Sequence, residues 1–339
     1  MEFNKALLPL LAGKHLTRSK SQQVFTLLIK GELEPFKAKA LLLLLALKGE
    51  TADEVLGCLK AVRRFEPAQK LKFSNLIDNC GTGGDNKHSF NISTLAAFVI
   101  AGAGGKVAKH GNRAVSSKCG SSDLMEALGV NLNAPRVRMI EAIEKVGIGY
   151  FHAPLYHPVF LNLQGLRREL KTRTIFNLLG PLLNPFELKY QLIGVAKKSY
   201  VKLFAEVLKQ LKVKNALVVH SDAGEDEISA QGMTYAGLIH KGKIQYLKIY
   251  PPHSHVKGAS ASKLRGGSAM QNKKTAERLL RGKLKGLLRE MVLINAGASL
   301  VILGLANNLH EGFHLAAESL NSGRAFQALV QLRRISQAK

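Results

Sequence analysis

Asp78-Asn79-Cys80-Gly81-Thr82-Gly83-Gly84-Asp85-Asn86-Lys87-His88-Ser89-Phe90-Asn91-Ile92-Ser93-Thr94 connects a short apolar strand candidate, Leu76-Ile77, to a helix of small residues beginning near Ser93. Gly81, Gly83 and Gly84 let backbone N–H groups approach an anion without side chains in the way. The helix N-terminus that follows adds oriented donors and a dipole that favours phosphate. Asn91, Ser93 and Thr94 supply side-chain donors, and a serine hydroxyl also reaches a phosphate-bound magnesium. The spacing is not the G-x-G-x-x-G of a dinucleotide fold, and no Gly-Lys-Ser/Thr follows the glycines as in a Walker loop. The five-residue glycine loop alone would pass for a tight turn; the whole stretch reads as a phosphate cradle.

On either side of this cradle the text changes character. Before Leu71 it is helical: Thr17 precedes a pattern running through Leu28, Pro35 starts a leucine-rich helix, and Thr51-Ala52-Asp53-Glu54 reads as an N-terminal cap. After Leu71, strand candidates alternate with helices, the pattern of a parallel α/β sheet. The strands are expected at Leu76-Ile77, Lys106 to Ala108, Gly147 to Phe151, Leu192 to Val195 and Ala216 to His220. Helices are expected over Ser93 to Ala103, Asp123 to Leu128, Arg136 to Val146, Tyr200 to Leu211 and in segments after Met270. The fold class is therefore α/β, with a small N-terminal helical bundle domain and a larger domain around a mainly parallel sheet. The bundle takes residues 1–70 and is joined by roughly 158–190, while 71–157 and 191–339 form the α/β domain.

A second loop follows the Lys106 strand and reads Lys109-His110-Gly111-Asn112-Arg113-Ala114-Val115-Ser116-Ser117-Lys118-Cys119-Gly120-Ser121-Ser122-Asp123. Its cations, amide and hydroxyls suit a polyphosphate or a sugar with several hydroxyls. Farther on, Asp222, Glu225, Asp226 and Glu227 cluster in an otherwise basic chain, and adjacent carboxylates of this kind suit a hard cation such as magnesium.

Composition sets the outer limits. The 339 residues, 46% of them hydrophobic, support a large core, and the longest purely apolar run, Ala40 to Leu47, is far shorter than a membrane span. The N-terminus lacks the marks of a secretory signal, so a cytoplasmic protein is expected. Cys58, Cys80 and Cys119 form neither a disulfide framework nor a zinc motif. The net charge is +25, and residues 241–289 carry thirteen Lys or Arg against the single acid Glu277. Only Tyr246 and Tyr250 accompany these cations, too few aromatics for a base-stacking platform, so a solvated basic face is favoured over a nucleic-acid site.

Taken together, the two loops resemble those of the anthranilate phosphoribosyltransferases, tryptophan-pathway members of the nucleoside-phosphorylase-like transferases. The resemblance continues through Arg167-Arg168-Glu169-Leu170, Arg173 to Pro185, and Asp226-Glu227-Ile228-Ser229. It is weaker at Asn272, Leu293 to Ala296 and Ser322 to Ala325. It implies a type III phosphoribosyltransferase-like fold and transfer of phosphoribosyl from phosphoribosyl pyrophosphate to anthranilate. The implied phosphoribosyl pyrophosphate contacts are Gly81, Gly84, Asp85, Ser89, Asn91, Ile92, Ser93 and Thr94, then Lys109, His110, Gly111, Asn112, Arg113, Ala114, Val115, Ser116, Ser117 and Ser121. Gly81, Asn112 and Arg167 are the implied anthranilate contacts, with Arg167 meeting the carboxylate. Ser93, Asp226 and Glu227 are the implied ligands of Mg2+, a pair of ions per subunit, and the implied assembly is a homodimer through the N-terminal helices. No side chain is implied as a catalytic acid, base or nucleophile.

The chain departs from the family's usual pattern in three places. Asn86 stands where Gly is usual, and asparagine tolerates the left-handed backbone better than most residues. Cys119 stands where Ser or Thr is common; beside Lys118 in a mobile loop, its thiol is expected to be acidified and open to oxidation. His152 replaces a usual aromatic residue. A pyrimidine nucleoside phosphorylase would carry Lys-His-Ser-Thr-Gly-Gly in the second loop, which is absent here. A nucleic-acid-binding relative would explain the basic stretch but not the intact acidic pair.

Overall fold

A computed structural model describes residues 2–84, 87, 89–114, 118–251, 256 and 259–338. The chain forms two compact units, Met1–Lys70 with Ala153–Glu187, and Leu71–His152 with Leu188–Lys339.

The first unit is helical. Thr17 Oγ1 accepts from Lys20 N at 3.3 Å to start the Arg18–Lys30 helix, and Gly31 ends it in the left-handed region at φ +75°. Pro35 opens the Pro35–Lys48 helix, and a full capping box of Thr51 and Glu54 opens Ala52–Phe65. Glu54 is completely buried, yet its carboxylate accepts from Leu16 N and Thr51 N, both at 2.8 Å, and from Lys48 Nζ at 2.9 Å. Leu41, Leu42, Leu45, Leu56 and Val62 make the core, with Phe25 edge-on to Phe176 at 5.8 Å between centroids. The returning segment is expected from about 158; in the structure it begins at Ala153, where a short Ala153–Tyr156 helix leads in. It is anchored by polar contacts. Arg63 donates to Leu182 O and Asn184 O at 3.1 and 2.6 Å, and Glu66 accepts from Val159 N at 2.8 Å.

The second unit is built on a seven-stranded sheet among the described residues, in the order β3-β2-β1-β4-β5-β6-β7. The strands are β1 Leu76–Gly81, β2 Lys106–Gly111, β3 Ile148–His152, β4 Tyr190–Gly194, β5 Asn215–Ser221, β6 Thr234–His240 and β7 Lys243–Ile249. β1 to β5 pair in parallel, while β6 pairs antiparallel with both β5 and β7. The Ile92–Gly102 helix and the Leu287–Leu303 helix pack on each other, and their side chains are buried along most of their length. Among the described residues, no helix is long and apolar enough to cross a membrane.

Two features differ from the sequence reading. The β6–β7 hairpin was not among the expected strands; β7 carries two lysines and its half-buried positions do not alternate strictly. Leu247 and Ile249 share one face and are half-buried, Tyr246 and Lys248 share the other and are exposed, and Ile244 is half-buried beside the turn. Gly242, at φ +74° after Lys241 at φ +50°, makes the two-residue turn and is the signal that was available. Part of the basic stretch thereby acquires a structural reason, since lysines on an edge strand oppose pairing with another chain. The second difference is that β1 and β2 run past their apolar cores into Asp78-Asn79-Cys80-Gly81 and Lys109-His110-Gly111. Polar residues buried at strand ends point to a site there.

Candidate active site

The sheet order reverses between β1 and β4. From β1 the chain moves outward to β2 and β3, and from β4 it moves the other way to β5. Ligands of open α/β sheets bind beyond the C-terminal ends of the strands at such a switch point. Gly81 and Gly194 are the paired residues at those two ends. Just past them, Thr82 N donates to Gly194 O at 2.9 Å and Ala196 N donates to Thr82 Oγ1 at 3.2 Å. Asp226 reaches into the same corner, its Oδ2 accepting from Gly83 N at 2.9 Å. The approach is so close that a Cβ on Gly81 would lie 2.5 Å from Asp226 Oδ2, and one on Gly194 would lie 1.6 Å from the Asp226 carbonyl oxygen. Gly83 and Gly84 answer a different need: both lie in the left-handed region, at φ +62° and +73°, and are exposed. The glycine cradle and the acidic loop, whose bonded residues Gly83 and Asp226 are 143 apart in sequence, are thus one local structure.

Asp226 and Glu227 are half-buried, and the loop carrying them is held from both sides. Asn295, 1% exposed, accepts from Ile228 N at 2.9 Å and donates to Ile228 O at 3.0 Å and to Met291 O at 2.8 Å. Upstream, Glu225 N donates to Ser221 Oγ at 2.9 Å, and Ser221 Oγ donates to the Glu225 carboxylate. The donor set is all oxygen, which suits Mg2+. Among the described residues no three His, Cys, Asp or Glu gather as an all-protein metal cage. Magnesium ordinarily keeps waters and phosphate ligands beside one or two carboxylates. Across β1, Asn79 Nδ2 donates to Ser93 O at 2.8 Å. Thr94 Oγ1 and Asn79 Oδ1, in residues 1% exposed, have no hydrogen-bond partner among the described residues. Buried polar atoms in that state are ordinarily satisfied by an ordered water or an ion.

The second loop is organised by a residue to which the sequence reading gave no site role. Asp123 Oδ2 accepts from Ala114 N at 3.0 Å and Gly120 N at 2.8 Å, while its Oδ1 accepts from Arg113 at 3.1 Å. Burial opposes ionisation of Asp123, but the two N–H groups and the guanidinium outweigh it and hold the carboxyl below its ordinary range. Arg113 also makes a bidentate pair with Glu126 at 2.8 and 3.0 Å, and these partners push its pKa up. Its charge is therefore spent largely within the loop rather than offered outward. Asn112 and Ser121 bond to each other, with Ser121 Oγ donating to Asn112 O at 3.2 Å. Lys109 and His110 were expected in this loop but lie in β2. Lys109 is 1% exposed, with its Nζ donating to Asn79 O at 3.0 Å, and His110 N donates to Asp78 Oδ1 at 3.4 Å. Asn91 bridges loop and sheet domain: its Nδ2 donates to Cys119 O at 3.1 Å and its Oδ1 accepts from Asn272 at 3.3 Å. Ser89 bridges to Arg265 in an antiparallel pair, and Ile92 is buried. Asp85, Asn86, Val115, Ser116 and Ser117 lie outside the described residues.

The expectation for Cys119 is overturned. Its side chain is 5% exposed, and burial raises the thiol pKa instead of Lys118 lowering it. The native protein should therefore react with iodoacetamide at pH 7.5 much more slowly than free cysteine does, because the thiolate is the nucleophile. Mass-spectrometric mapping that finds Cys119 modified as fast as a model thiol would contradict this. His152 rests its Nδ1 2.8 Å from Ser122 Oγ, which also contacts Tyr150 OH at 2.7 Å. It thus takes a polar role under the second loop.

Arg167 belongs to the helical unit, in the Gln164–Leu170 helix. It is half-buried, and among the described residues its guanidinium has neither an ion pair nor a hydrogen bond. Burial alone lowers its pKa. A desolvated cation without a partner is a natural seat for a planar carboxylate.

Comparison with known proteins agrees with this geometry. The family described as "Glycosyl transferase family, a/b domain" matches residues 74–326, and "Glycosyl transferase family, helical bundle domain" matches residues 4–65. The anthranilate phosphoribosyltransferase of Anaeromyxobacter dehalogenans is 43% identical over 330 residues, 97% of this chain and 97% of its own. The chain belongs to the anthranilate phosphoribosyltransferase family. A crystal structure of the family member from Thermus thermophilus superposes with a TM-score of 0.90 at 38% identity, covering 98% of this chain and 99% of that one. The Saccharomyces cerevisiae anthranilate phosphoribosyltransferase, solved with PRPP and Mg, shares the fold at a TM-score of 0.88 and 23% identity, covering 98% and 97% of the two chains. The α/β class with a helical N-terminal domain and a mostly parallel sheet is the architecture of this family.

Proposed function

We propose that this chain transfers the phosphoribosyl group of phosphoribosyl pyrophosphate to the amine of anthranilate, giving N-(5-phosphoribosyl)anthranilate and pyrophosphate in tryptophan biosynthesis. The carrying observation is the switch-point corner, where the Gly81–Gly84 loop and the Asp226 carboxylate are joined by the Gly83 N–H. The whole-length likeness to anthranilate phosphoribosyltransferases supports the choice of acceptor.

The anthranilate nitrogen attacks C1 of the ribose, the C1–O bond to pyrophosphate breaks, and the nitrogen loses a proton to solvent. An aryl amine is already a nucleophile, so the protein's work is to hold the amine near C1 and to stabilise the departing anion. The glycine loop lets the donor's phosphates approach the backbone without side chains in the way, and Thr94 with Ser93 adds hydroxyl donors at the Ile92–Gly102 helix start. The Asn112 to Ser121 loop adds further donors, and the unpaired Arg167 guanidinium takes the anthranilate carboxylate. Mg2+, a pair of ions per subunit, would be held by Asp226 and Glu227 with Ser93 and would neutralise pyrophosphate charge. Two copies pairing through the N-terminal helices would cover Leu8, Leu11, Phe36 and Leu47, which are 67, 62, 80 and 83% exposed. A cytoplasmic location is part of the same proposal, since phosphoribosyl pyrophosphate is a highly charged metabolite that does not cross membranes unaided.

The test is the loss of anthranilate fluorescence on mixing protein, phosphoribosyl pyrophosphate and magnesium. Loss is expected only with all components present. Asp226→Asn or Glu227→Gln should lower kcat/KM by about 10²–10³-fold, the usual scale for removing one electrostatic contact to a leaving or developing anion. No fluorescence loss from folded wild-type protein, or loss that ignores magnesium, would remove this reading.

A further inference from the structure

We infer that His310 and His314 form a transition-metal site on the outer face of the Leu309–Asn321 helix, separate from the carboxylate pair of the switch point. The two histidines are four residues apart, so they stand one above the other on a single helix face. Both are exposed. Their rings are already turned toward a common point, with Nε2 to Nε2 at 3.3 Å and ring centroids 4.5 Å apart. Imidazole nitrogens bind Zn2+ at about 2.0–2.1 Å, preferentially in a tetrahedral arrangement. At those bond lengths a 3.3 Å separation between the ligand atoms corresponds to an N–metal–N angle of about 107°, close to tetrahedral. The separation of the two nitrogens thus matches the bite of a chelate.

The scaffold beneath is rigid. The helix buries Gly312, Phe313, Ala316, Ser319 and Leu320 on the opposite face. Gly312 packs backbone to backbone on the Leu287–Leu303 helix, where a Cβ on Gly297 would lie 2.7 Å from Gly312 C. The first turn is capped, as Asn308 Oδ1 accepts from Glu311 N at 2.9 Å. The Glu311 carboxylate accepts from Asn307 N at 2.8 Å and Nδ2 at 2.9 Å, which occupies it with capping beside the pair. A site fixed this way loses little conformational entropy on binding.

The chemistry selects the ion. Neutral imidazole suits Zn2+, Ni2+ or Cu2+ and is a poor ligand for Mg2+, which seeks oxygen. With two protein ligands, the remaining coordination positions are filled by water or by a ligand from outside. The site is therefore open and accessible, and it is not a structural zinc centre of four closed ligands. In the metal-free form one Nε2–H donates to the other ring nitrogen; in the bound form both Nε2 atoms present lone pairs and the ring protons sit on Nδ1.

Untagged protein titrated with ZnCl2 or NiCl2 in a calorimeter should bind one ion per chain at this site. His310→Gln and His314→Gln should each weaken that binding at least about tenfold, since losing a first ligand costs no less than losing an outer partner. The same variants should keep full magnesium-dependent anthranilate consumption, which reports that they are folded and separates this site from the transferase reading. Equal zinc and nickel affinity in wild type and both variants would overturn the assignment, as would no detectable binding to wild type at millimolar metal.

Discussion

Gly194→Ala is expected to lower kcat/KM for phosphoribosyl transfer by at least about 10²-fold, the scale set by an ångström of misplacement at a reacting centre. The added methyl would lie 1.6 Å from the Asp226 carbonyl oxygen, a backbone atom that no side-chain rotation can clear. Either β4 or the acidic loop must move, and Asp226 moves with it, taking its carboxylate off Gly83 N. Stability should suffer as well: overpacking of this kind costs about 1–3 kcal/mol. At roughly 2–4 °C per kcal/mol for a domain of this size, Tm should fall by several degrees. Gly232→Ala is the matching control, because nothing lies within 4 Å of its added methyl. If Gly194→Ala matched that control in both kcat/KM and Tm, the account of the switch-point corner given above would fail.

Asp123→Ala should raise KM for phosphoribosyl pyrophosphate by about 10–100-fold while leaving Tm nearly unchanged. It removes the acceptor shared by Ala114 N, Gly120 N and Arg113, and hydrogen bonds to a charged partner are worth about 1.5–3 kcal/mol each. Because they close a surface loop rather than the core, the loss should appear in binding and not in global unfolding. The pH behaviour follows from the lowered pKa of Asp123. A depressed carboxylate contributes its stabilisation above the unfolded value of about 3.9 and loses it as pH falls through the folded value. The hydrogen bonds from Ala114 N, Gly120 N and Arg113 to Asp123 should thus persist across the neutral range, and KM should show no Asp123-dependent change between about pH 6 and 9. A wild-type KM for the donor in the Asp123→Ala variant would rule out this role.

Much of the candidate site was legible in the chain because its signals are local. A run of glycines entering a helix start, and adjacent acids in a basic background, need no partner to be recognised. Residues without a local signal escaped. Asn295 sits inside an apolar helix and matters only because Ile228 lies opposite both ends of its amide. Asp123 read as the start of a helix, and its grip on Ala114 and Gly120 depends on the loop folding back. Gly194 looked like the end of an ordinary strand until β4 was placed beside β1. Cys119 was misjudged for the same reason: its neighbour Lys118 is visible in the text, but its burial is not.

The sequence by itself determined the helical start, the alternation of strands and helices, the glycine loop at a helix start and the carboxylate pair, because periodicity, caps and glycine positions act over a few residues. Only the tertiary structure decided that β4 returns beside β1, and with it that Asp226 closes on the glycine loop. Strand order is a matter of which buried faces and chain ends come together over 100 residues or more, and no local pattern encodes it.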